Sequence, residues 1–586
     1  MNPRLSLFSV ISSLWHKFKK RRKIQVIGAL CLILISGLFE MISLGLVVPF
    51  LTVLIDPKLL FENSFTASIV NFFKLDQISN LRLIFTISFA LSSLLANSIR
   101  LLNIWVITYL SQKIGNDLSS EALKRTLSQP YSVHINRNSN IVLAGLTHHV
   151  LQTIVAINFS LQLVAAVIIL IFLILTLVAF EPSLALFSIF IFTLSYLLIG
   201  LKLKKRLSRN SKDITDMNNK ILKILQESLG SIRDIIINNK IKYFIKAHNK
   251  YDQNLRLLNA ENIFLTSIPR YAMEAIGICF ISLFSYLAIK NSATTTNIVP
   301  LLGILALSAQ RILPALYLVF KGWSALQIAK DSVLKLLDLL NQPIPMLQKE
   351  RFKNKIIFKE HIKFNNVFFK YHRNGEIILN NINLVIKKGS RVGIVGETGS
   401  GKSTTVDLLM GLLKPSSGSI LIDNKELHNK NNEEFLNQWR NSIAHVPQEI
   451  YISDSSFAEN IAFGIDFDLI DIERMKESAK LARISEYIES TPLKYKTLLG
   501  ERGTKLSGGQ LQRIGIARSL YLGRNILVFD EATSSLDKLT EEKIMDSLKS
   551  LSQEITIIMI SHRNSSLKQC DLILSVKNGS IEKTNL

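Results

Sequence analysis

Six long apolar runs constrain this chain more than any other feature of its sequence. An α-helix rises about 1.5 Å per residue, so roughly 20 apolar residues are enough to cross the hydrocarbon core of a bilayer. Each run is close to that length or longer, and the sequence therefore predicts six membrane-spanning helices. The first run is also too long for a cleaved signal peptide and lacks a small-residue cleavage site. The runs occupy residues 24–55, 83–110, 159–180, 184–201, 271–289 and 298–320.

Basic residues are distributed unevenly, and this decides how the formal net charge of +24 is interpreted. Such a charge suits nucleic acid, an anionic lipid surface or the cytoplasmic loops of a membrane protein. Residues 1–23 hold seven Lys and Arg side chains and no carboxylate, and the connections 111–158 and 202–262 are basic as well. Six spans place these segments on one side of the membrane. We therefore expect a multi-pass plasma-membrane protein with a cytoplasmic N terminus and no nucleic-acid partner.

The composition changes near residue 322, where the sequence becomes less apolar. We divide the chain into a basic N-terminal segment (1–23), a transmembrane domain with six helices (24–322), a linker (323–352) and a cytoplasmic domain (353–586). In the last domain, β-branched runs alternate with helical patterns, which is typical of α/β proteins. The three cysteines have no short spacing and indicate neither a disulfide framework nor a zinc site.

A glycine-rich segment between a strand and a helix marks a nucleotide site in the α/β domain. The apolar residues 392–395 precede it, and an apolar helical pattern over 406–413 follows it. In such a P-loop, backbone amides wrap the phosphates of ATP, Lys402 reaches the β- and γ-phosphates, and Ser403 holds Mg²⁺. The strand and helix on either side disfavour a merely glycine-rich turn. The predicted ATP-binding residues are Gly396, Glu397, Thr398, Gly399, Ser400, Gly401, Lys402, Ser403 and Thr404.

Two adjacent carboxylates, Asp530 and Glu531, follow the apolar strand pattern of residues 526–529. Asp530 suits water-mediated Mg²⁺ binding, and Glu531 suits the polarisation of an attacking water. Paired acids after a strand also occur where they only cap a loop. The P-loop upstream favours the catalytic interpretation.

A third motif carries a family resemblance. The string Leu506-Ser507-Gly508-Gly509-Gln510 resembles the signature motif of ATP-binding cassette (ABC) proteins, and Gly-Glu-Arg-Gly at 500–503 resembles the loop that precedes it in exporters. Six spans followed by one cassette is the layout of an exporter half-transporter. The resemblance implies a helical six-span membrane domain of the ABC exporter type, followed by an α/β P-loop nucleotide-binding domain. It also implies that Ser507, Gly508, Gly509 and Gln510 bind nucleotide.

Further positions match the motifs of this family in their usual order. The resemblance implies that Tyr371 stacks on adenine, that Asp537 belongs to the D-loop beside the nucleotide, and that His562 contacts the γ-phosphate. Each residue alone would more often be structural, but their order around a P-loop favours function. The predicted catalytic residues are Glu531, His562 and Gln448. The predicted metal ligands are Ser403, Gln448 and Asp530.

The chain contains one P-loop and one signature motif. In ABC proteins each ATP lies between the P-loop of one cassette and the signature motif of another, so the resemblance implies a homodimer with composite ATP sites. Pairing with a related chain is the alternative. The turns at 131–140 and 228–237 are expected to be the coupling helices that contact the cassettes. Solvated helix turns are the alternative there.

Three arginines, Arg100, Arg270 and Arg311, lie within or at the edge of apolar runs. A charge in such a place is costly and normally faces a partner or a cavity. Glu40 is a candidate partner, and Glu274 follows Arg270 at i+4. Three cations against two anions favour an anionic cargo, and a purely structural network is the alternative.

Short strings in the apolar runs resemble bacterial flippases of lipid-linked oligosaccharides. These strings are Phe39-Glu40, Val48-Pro49-Phe50, Pro269-Arg270 and residues 311–314. The flippases have an external helix on the membrane, and the chain offers matching apolar positions at helical spacing. These positions are Phe61, Phe65, Ile69, Phe72 and Phe73.

Together these observations predict ATP-driven export or flipping of an amphipathic, anionic, lipid-linked substrate across the plasma membrane. Membrane lipids are expected partners, and ATP and Mg²⁺ are the expected cofactors. One alternative is a general exporter of drugs, lipids or polysaccharide. Another is a non-transporting membrane ATPase that gates a channel or scaffolds a partner.

Overall fold

The computed structural model describes residues 6–55, 78–180, 182–291, 298–344, 356, 358–372, 374–429, 433–549, 554–563 and 567–584. The chain forms two compact units. Unit 1 comprises Met1–Gln129 and Arg137–Pro343, and unit 2 comprises Pro130–Asn136 and Ile344–Leu586. Part of the first predicted coupling turn thus belongs to the unit that contains the P-loop.

The described chain from residue 6 to residue 340 is almost entirely helical. A π-helical turn, Gly145–His149, joins α6 to α7. The helices are α1 (Leu7–Lys17), α2 (Lys20–Gly45), α3 (Val47–Ile55), α4 (Ile78–Leu127), α5 (Tyr131–Ile135), α6 (Ser139–Ala144), α7 (Val150–Phe180), α8 (Pro182–Gly230), α9 (Ile232–Ile237), α10 (Ile241–Asn291) and α11 (Ile298–Leu340).

All six predicted membrane runs lie in the long helices of unit 1. The first run extends from α2 into α3, and the others lie in α4, α7, α8, α10 and α11. Among the described residues, four helices are long and apolar enough to cross a membrane by length and composition. Their spans are Lys20–Leu54, Arg82–Leu127, Ser139–Ala179 and Ala306–Leu340.

The last long helix continues past the predicted end of the transmembrane domain. It ends at Leu340, so residues 323–340 of the predicted linker are helical. Val333, Leu336 and Leu340 are buried at helical spacing. The drop in hydropathy near residue 322 therefore marks a change from an apolar to an amphipathic helix, and the linker prediction placed the end of the helix too early.

Both predicted coupling turns contain short helices, α5 and α6 in the first and α9 in the second. The predicted external helix is a different case, because Phe61, Phe65, Ile69, Phe72 and Phe73 lie outside the described residues.

Helices of unit 1 approach closely where glycine faces a neighbour. A Cβ atom at Gly322 on α11 would lie 2.9 Å from the carbonyl oxygen of Phe159 on α7. A Cβ atom at Gly37 on α2 would lie 2.3 Å from the ring of Phe172, also on α7. Close packing of α7 with α2 and α11 therefore depends on residues without a side chain at these positions.

Unit 2 contains two sheets. A four-stranded antiparallel sheet has the order β2-β1-β4-β5, and a six-stranded sheet has the order β10-β9-β3-β8-β7-β6. In the larger sheet only the edge strand β10 pairs antiparallel. The strands are β1 (His361–Phe369), β2 (Leu379–Lys387), β3 (Arg391–Gly396), β4 (Ser417–Ile422), β5 (Lys425–Glu426), β6 (Ile443–Val446), β7 (Ile526–Asp530), β8 (Thr556–Ile560), β9 (Leu572–Lys577) and β10 (Ser580–Thr584).

Helices cover the six-stranded sheet, and its inner strands are accordingly buried. Every residue of β8 and the first four residues of β7 are buried, as expected for parallel strands covered on both faces. This confirms the predicted α/β class. The helices of unit 2 after the P-loop are α12 (Lys402–Leu409), α13 (Glu433–Arg440), α14 (Phe457–Ile461), α15 (Ile472–Leu481), α16 (Ser485–Ser490), α17 (Gly508–Leu522) and α18 (Lys538–Lys549).

The sheet order brings three sequence motifs to one edge. The register pairs Ile394 of β3 with Ile560 of β8, and Ile560 in turn with Asp530 of β7. Because parallel strands end at the same edge, the segments that follow these three strands lie side by side. These segments are the P-loop, the Asp530-Glu531 pair and the turn that contains His562.

Candidate nucleotide site

The P-loop depends on glycine at two positions where the backbone is left-handed or crowded. Gly396 has φ +151°, and a Cβ atom there would lie 2.3 Å from the carbonyl oxygen of Val576. Gly401 has φ +105° and immediately precedes α12. The loop therefore leads directly into a helix N terminus, whose free amides and dipole attract phosphate. A cavity of about 960 Å³ lies beside the loop, large enough for a nucleotide.

Lys402, the first residue of α12, folds back over the loop. Its Nζ donates hydrogen bonds to the carbonyl oxygens of Gly396, over 2.9 Å, and of Glu397, over 2.8 Å. The ammonium group is thus held at the mouth of the P-loop, where it is available for the phosphates that the sequence predicts for it.

Asp530 and Ser403 form a pair of hard oxygen donors. Burial and the neighbouring Glu531 carboxylate raise the pKa of Asp530. A hydrogen bond that Ser403 donates to the Asp530 carboxylate and the charge of Lys402 oppose this rise without cancelling it. A desolvated carboxylate beside a hydroxyl fits Mg²⁺, which prefers one or two carboxylates together with substrate phosphates. Within the described residues no cluster of three or more His, Cys, Asp or Glu side chains forms a separate metal site.

The three predicted catalytic residues meet at Glu531. His562 Nε2 lies 3.2 Å from Glu531 Oε1, and Gln448 Nε2 donates to Glu531 Oε2 over 2.8 Å. Glu531 itself has φ +48° and donates its backbone N–H to Ile560 O. Non-glycine residues in this conformation occur often at functional sites. The Glu531 carboxylate thus lies between the His562 imidazole and the Gln448 amide, and Glu531 directly follows Asp530, a predicted Mg²⁺ ligand.

Tyr371 lies next to the P-loop helix, as expected for a residue near the nucleotide. Its hydroxyl is 3.1 Å from Thr404 Oγ1, and its ring packs edge-on against Phe369. Tyr371 is 42% exposed, so part of the residue is accessible to a ligand. Stacking on adenine stays a prediction.

The signature motif opens α17 with a reciprocal cap. Ser507 Oγ accepts from the Gln510 N–H over 3.3 Å, and Gln510 Oε1 accepts from the Ser507 N–H over 2.8 Å. Gly508 and Gly509 begin the helix, and a Cβ atom at Gly509 would lie 3.2 Å from the carbonyl oxygen of Ser535. The four residues are not among those that line the P-loop cavity. The structure therefore does not bring the signature motif to the P-loop cavity of its own chain.

Asp537 caps α18 in a similar way. Its Oδ1 accepts from the Thr540 N–H over 2.9 Å, and hydrogen bonds from Thr540 lower the pKa of the Asp537 carboxyl. Asp537 therefore caps α18, and its contact with nucleotide stays a prediction.

Sequence reasoning missed an ion pair behind these loops. Arg563 Nη1 donates to Glu541 Oε2 over 3.0 Å, and Arg563 Nη2 donates to Ser534 O over 2.6 Å. Glu541 is only 1% exposed. Arg563 thus joins the segment with His562 to α18 and to the segment that follows Glu531. The position of an arginine directly after His562 was the available signal.

A second missed residue is Asp407, on the helix that follows the P-loop. Burial raises the pKa of Asp407 to about 6, and the nearby charge of Asp530 acts in the same direction. The Asp407 carboxyl thus lies within electrostatic range of Asp530, one of the predicted metal ligands.

The arginines of unit 1 do not form one site. Arg311 Nη1 donates to Glu40 Oε2 over 2.7 Å, and Arg100 Nη1 lies 3.8 Å from Glu40 Oε1. Glu40 is 3% exposed. Arg270 instead pairs with Glu274 over 3.1 Å on an exposed helix face. The structure therefore brings Arg100 and Arg311 together and leaves Arg270 in the i, i+4 pair that the sequence offered as its alternative.

A bundle of apolar helices joined to a P-loop unit with these motifs defines a nucleotide-dependent membrane transporter. Residues 26–312 match the family described as ABC transporter transmembrane region, and residues 379–534 match the family described as ABC transporter. The chain belongs to the ABC transporter family and has the architecture of a half-transporter. The predicted family, fold class and cofactors, ATP and Mg²⁺, are thereby confirmed, and proteins of this family couple ATP hydrolysis to transport.

Two curated relatives match part of the chain. The leukotoxin translocation ATP-binding protein LktB of Mannheimia glucosida is 40% identical over 278 residues, which is 47% of this chain and 38% of the relative. The alpha-hemolysin translocation ATP-binding protein HlyB of Escherichia coli O157:H7 is 39% identical over 281 residues, with the same shares. The match thus spans less than half of the length of either relative.

The fold is also similar to a solved structure, that of a bacterial Atm1-family ABC exporter with ATP bound. The TM-score is 0.78, and the similarity covers 96% of this chain and 95% of that chain. With 21% identical residues, it shows a shared fold alone. The finer resemblance to flippases of lipid-linked oligosaccharides stays a prediction.

Proposed function

We propose that the protein is a homodimeric exporter that hydrolyses ATP to move an amphipathic, anionic lipid across the plasma membrane. The cassette half of this proposal rests on the convergence of Gln448 and His562 on Glu531. The carboxylate of Glu531 takes a proton from the attacking water, and His562 and Gln448 hold the carboxylate in place. The P-loop amides and Lys402 bind the phosphates. Ser403 and Asp530 hold Mg²⁺, which neutralises phosphate charge when bound.

A dimer completes each site in this proposal. Because the signature residues lie away from the P-loop cavity of the same chain, a second cassette supplies them. The N terminus of α17, opened by Ser507 and Gly508, faces the nucleotide held by the partner copy. Glu531 and His562 are present in every chain, so both sites of a self-paired dimer are competent.

The cargo half of the proposal rests on one observation, the charge balance of a cavity in unit 1. This cavity has a volume of about 170 Å³, and Glu40, Arg100 and Arg311 line it together with apolar side chains such as Ile104 and Leu173. Two guanidinium groups face one carboxylate, which leaves an excess of one positive charge in an apolar wall. An anionic head group with an apolar tail complements such a surface.

Within the cavity, Arg100 is the better candidate for contact with cargo. Arg311 is held by Glu40 and by Ser43 Oγ, over 3.0 Å. The Arg100 contact to Glu40 is longer, and the Arg100 side chain is 35% exposed. A lipid phosphate therefore competes for Arg100 at lower cost than for Arg311. Lipid-linked oligosaccharide is the specific cargo that the sequence resemblance supports.

Orientation and a second cargo complete the proposal. The basic residues 1–23 support a cytoplasmic N terminus and a cytoplasmic cassette. The relatives are named for translocation of leukotoxin and alpha-hemolysin, and this favours a polypeptide as the second candidate. A general exporter and a non-transporting ATPase are the remaining alternatives.

Proteoliposomes test the proposal. Purified protein is expected to move a polyprenyl-pyrophosphate glycan in an ATP-dependent way, and Glu531→Gln abolishes the movement. Arg100→Ala is expected to raise the lipid concentration for half-maximal ATPase stimulation at least about tenfold, because a charged contact is lost. Arg256→Ala is the control, since its exposed i, i+4 pair with Asp252 lies elsewhere. Stimulation by a polypeptide and by none of the lipids supports the second candidate, and ATPase activity without any vectorial movement overturns transport.

A further inference from the structure

A second cavity in unit 1 is almost wholly apolar. It has a volume of about 210 Å³ and lies between α1 and the helices α2, α7 and α11. Leu14 and Trp15 of α1, Leu30 of α2 and Val164 of α7 line it. A cavity of about 150 Å³ with similar walls is large enough to hold a small hydrocarbon. The cavity shares no lining residue with the one that contains Glu40.

The helix over this cavity has the character of a membrane-surface helix. α1 buries Val10 and Leu14 against unit 1, whereas Phe8 is 82% exposed. Serines and His16 occupy other positions of the helix, and Ser6 caps its N terminus with a hydrogen bond from the Ser9 N–H. An apolar face with a polar, basic end is typical of helices that lie in the interface of a bilayer.

Two lysines lie at the cavity. Lys330 of α11 lines it, and Lys23 of α2 lies 5.6 Å from the ring centroid of Trp15, which also lines it. Both side chains are half-buried. Within the described part of the chain, neither forms an ion pair, whereas Lys19 and Arg22 close by both contact Asp117. The cavity is thus apolar inside and positively charged at its edge.

We propose that this cavity, the α1 pocket, binds an acyl chain of an anionic phospholipid whose phosphate lies between Lys23 and Lys330. The apolar walls take part of the chain, and the two ammonium groups replace the water that a buried phosphate loses. The charge at the edge selects an anionic lipid over a zwitterionic one. Such a lipid is a resident of the membrane surface beside α1 and differs in place from any cargo at Arg100.

Native mass spectrometry of the full-length, delipidated protein tests the proposal. The protein is titrated with dioleoyl phosphatidylglycerol or with dioleoyl phosphatidylcholine. Phosphatidylglycerol is expected to bind at least about fivefold more tightly, because one lysine near a lipid surface changes the affinity roughly fivefold. Lys23→Gln together with Lys330→Gln is expected to remove most of this preference. Lys335→Gln, at an exposed position of α11 outside the pocket, is expected to keep it.

A pair of valines on α7 separates pocket binding from general lipid association. Val164 lines the pocket and Val167 does not, although their exposed fractions are nearly equal, 36% and 37%. Val164→Phe is expected to fill the pocket, so that each chain binds one phosphatidylglycerol molecule fewer in the same titration. Val167→Phe is expected to leave the number of bound phosphatidylglycerol molecules unchanged.

Three outcomes overturn the inference. If the two valine variants bind equal numbers of phosphatidylglycerol molecules per chain, the pocket holds no lipid. Equal binding of the two phospholipids by the unaltered protein shows that the pocket takes a neutral lipid. An unchanged preference in the double lysine variant shows that the charge at the edge does not select the head group. None of these measurements depends on transport or on ATP hydrolysis.

Discussion

Removal of the Arg311 side chain is expected to destabilise unit 1. The carboxylate of Glu40 is 3% exposed, and Arg311 gives it a 2.7 Å hydrogen bond. After Arg311→Ala, the ion pair that Glu40 keeps among the described residues is the 3.8 Å contact with Arg100. Loss of one partner of a buried ion pair costs about 3–5 kcal/mol. Because Arg100 still neutralises part of the charge, we expect the lower end of that range, about 3 kcal/mol.

Thermal unfolding of the purified protein measures this effect. Arg270→Ala is the matched control, since it removes an arginine from an ion pair on an exposed helix face, where such pairs contribute little. A paired replacement, Glu40→Gln with Arg311→Met, removes both charges. It is expected to unfold at a higher temperature than Arg311→Ala, because no unpaired carboxylate is left in the bundle.

Two results would refute this reasoning. If Arg311→Ala unfolds at the same temperature as Arg270→Ala, the Glu40 pair contributes nothing to stability. If the paired replacement unfolds below Arg311→Ala, the loss comes from packing of the guanidinium and not from the stranded charge. In the first case Arg311 becomes a better candidate than Arg100 for contact with cargo.

Three further predictions concern the cassette. Glu531→Gln is expected to retain ATP binding, measured with a fluorescent nucleotide, while phosphate release falls at least about a hundredfold; normal turnover would contradict the role of the carboxylate. Mixed dimers of Ser507→Arg and Lys402→Ala chains are expected to regain activity that both parents lack, since one composite site is intact; inactive mixed dimers would argue against a shared site. Asp407→Asn is expected to raise the unfolding temperature, measured without Mg²⁺, more at pH 8 than at pH 5. Burial raises the pKa of Asp407 to about 6, so ionisation lowers the stability of the folded protein as pH rises from the unfolded pKa through 6; an equal gain at both pH values would contradict this.

Local pattern was enough to predict the elements that carry the cassette motifs. A β-branched run followed by glycines, the Lys402-Ser403 pair and a helix specifies a P-loop, and two further apolar strands place Asp530 and His562 at the same sheet edge. The direct contacts of Gln448 and His562 with Glu531 were beyond that reasoning, because they depend on the lateral order of strands. The burial of Asp407 was missed for the same reason.

Ion pairing in unit 1 shows the same limit. The i, i+4 spacing of Arg270 and Glu274 fixes their contact from sequence, because both lie on one helix face. Glu40 and Arg311 lie on different helices and are separated by 271 residues in sequence. Their positions within apolar runs identified both as candidates, but the sequence could not show whether Arg100 or Arg311 makes the shorter contact with Glu40. The predicted start of the linker at residue 323 was wrong for a different reason. The last long helix becomes amphipathic near residue 322, so its mean hydropathy falls well before the helix ends at Leu340.

The ion pair between Arg563 and Glu541 has a consequence for how the gene can change. The two residues join the loop after β8 to the first turn of α18, and Glu541 is only 1% exposed. A substitution at either position alone leaves the other side chain with an unpaired charge and destabilises the folded protein. A simultaneous exchange for two neutral side chains of similar size leaves no unpaired charge. In a screen for revertants of a Glu541 lesion, second-site changes are therefore expected to concentrate at Arg563, and substitutions at these two positions are expected to accumulate together.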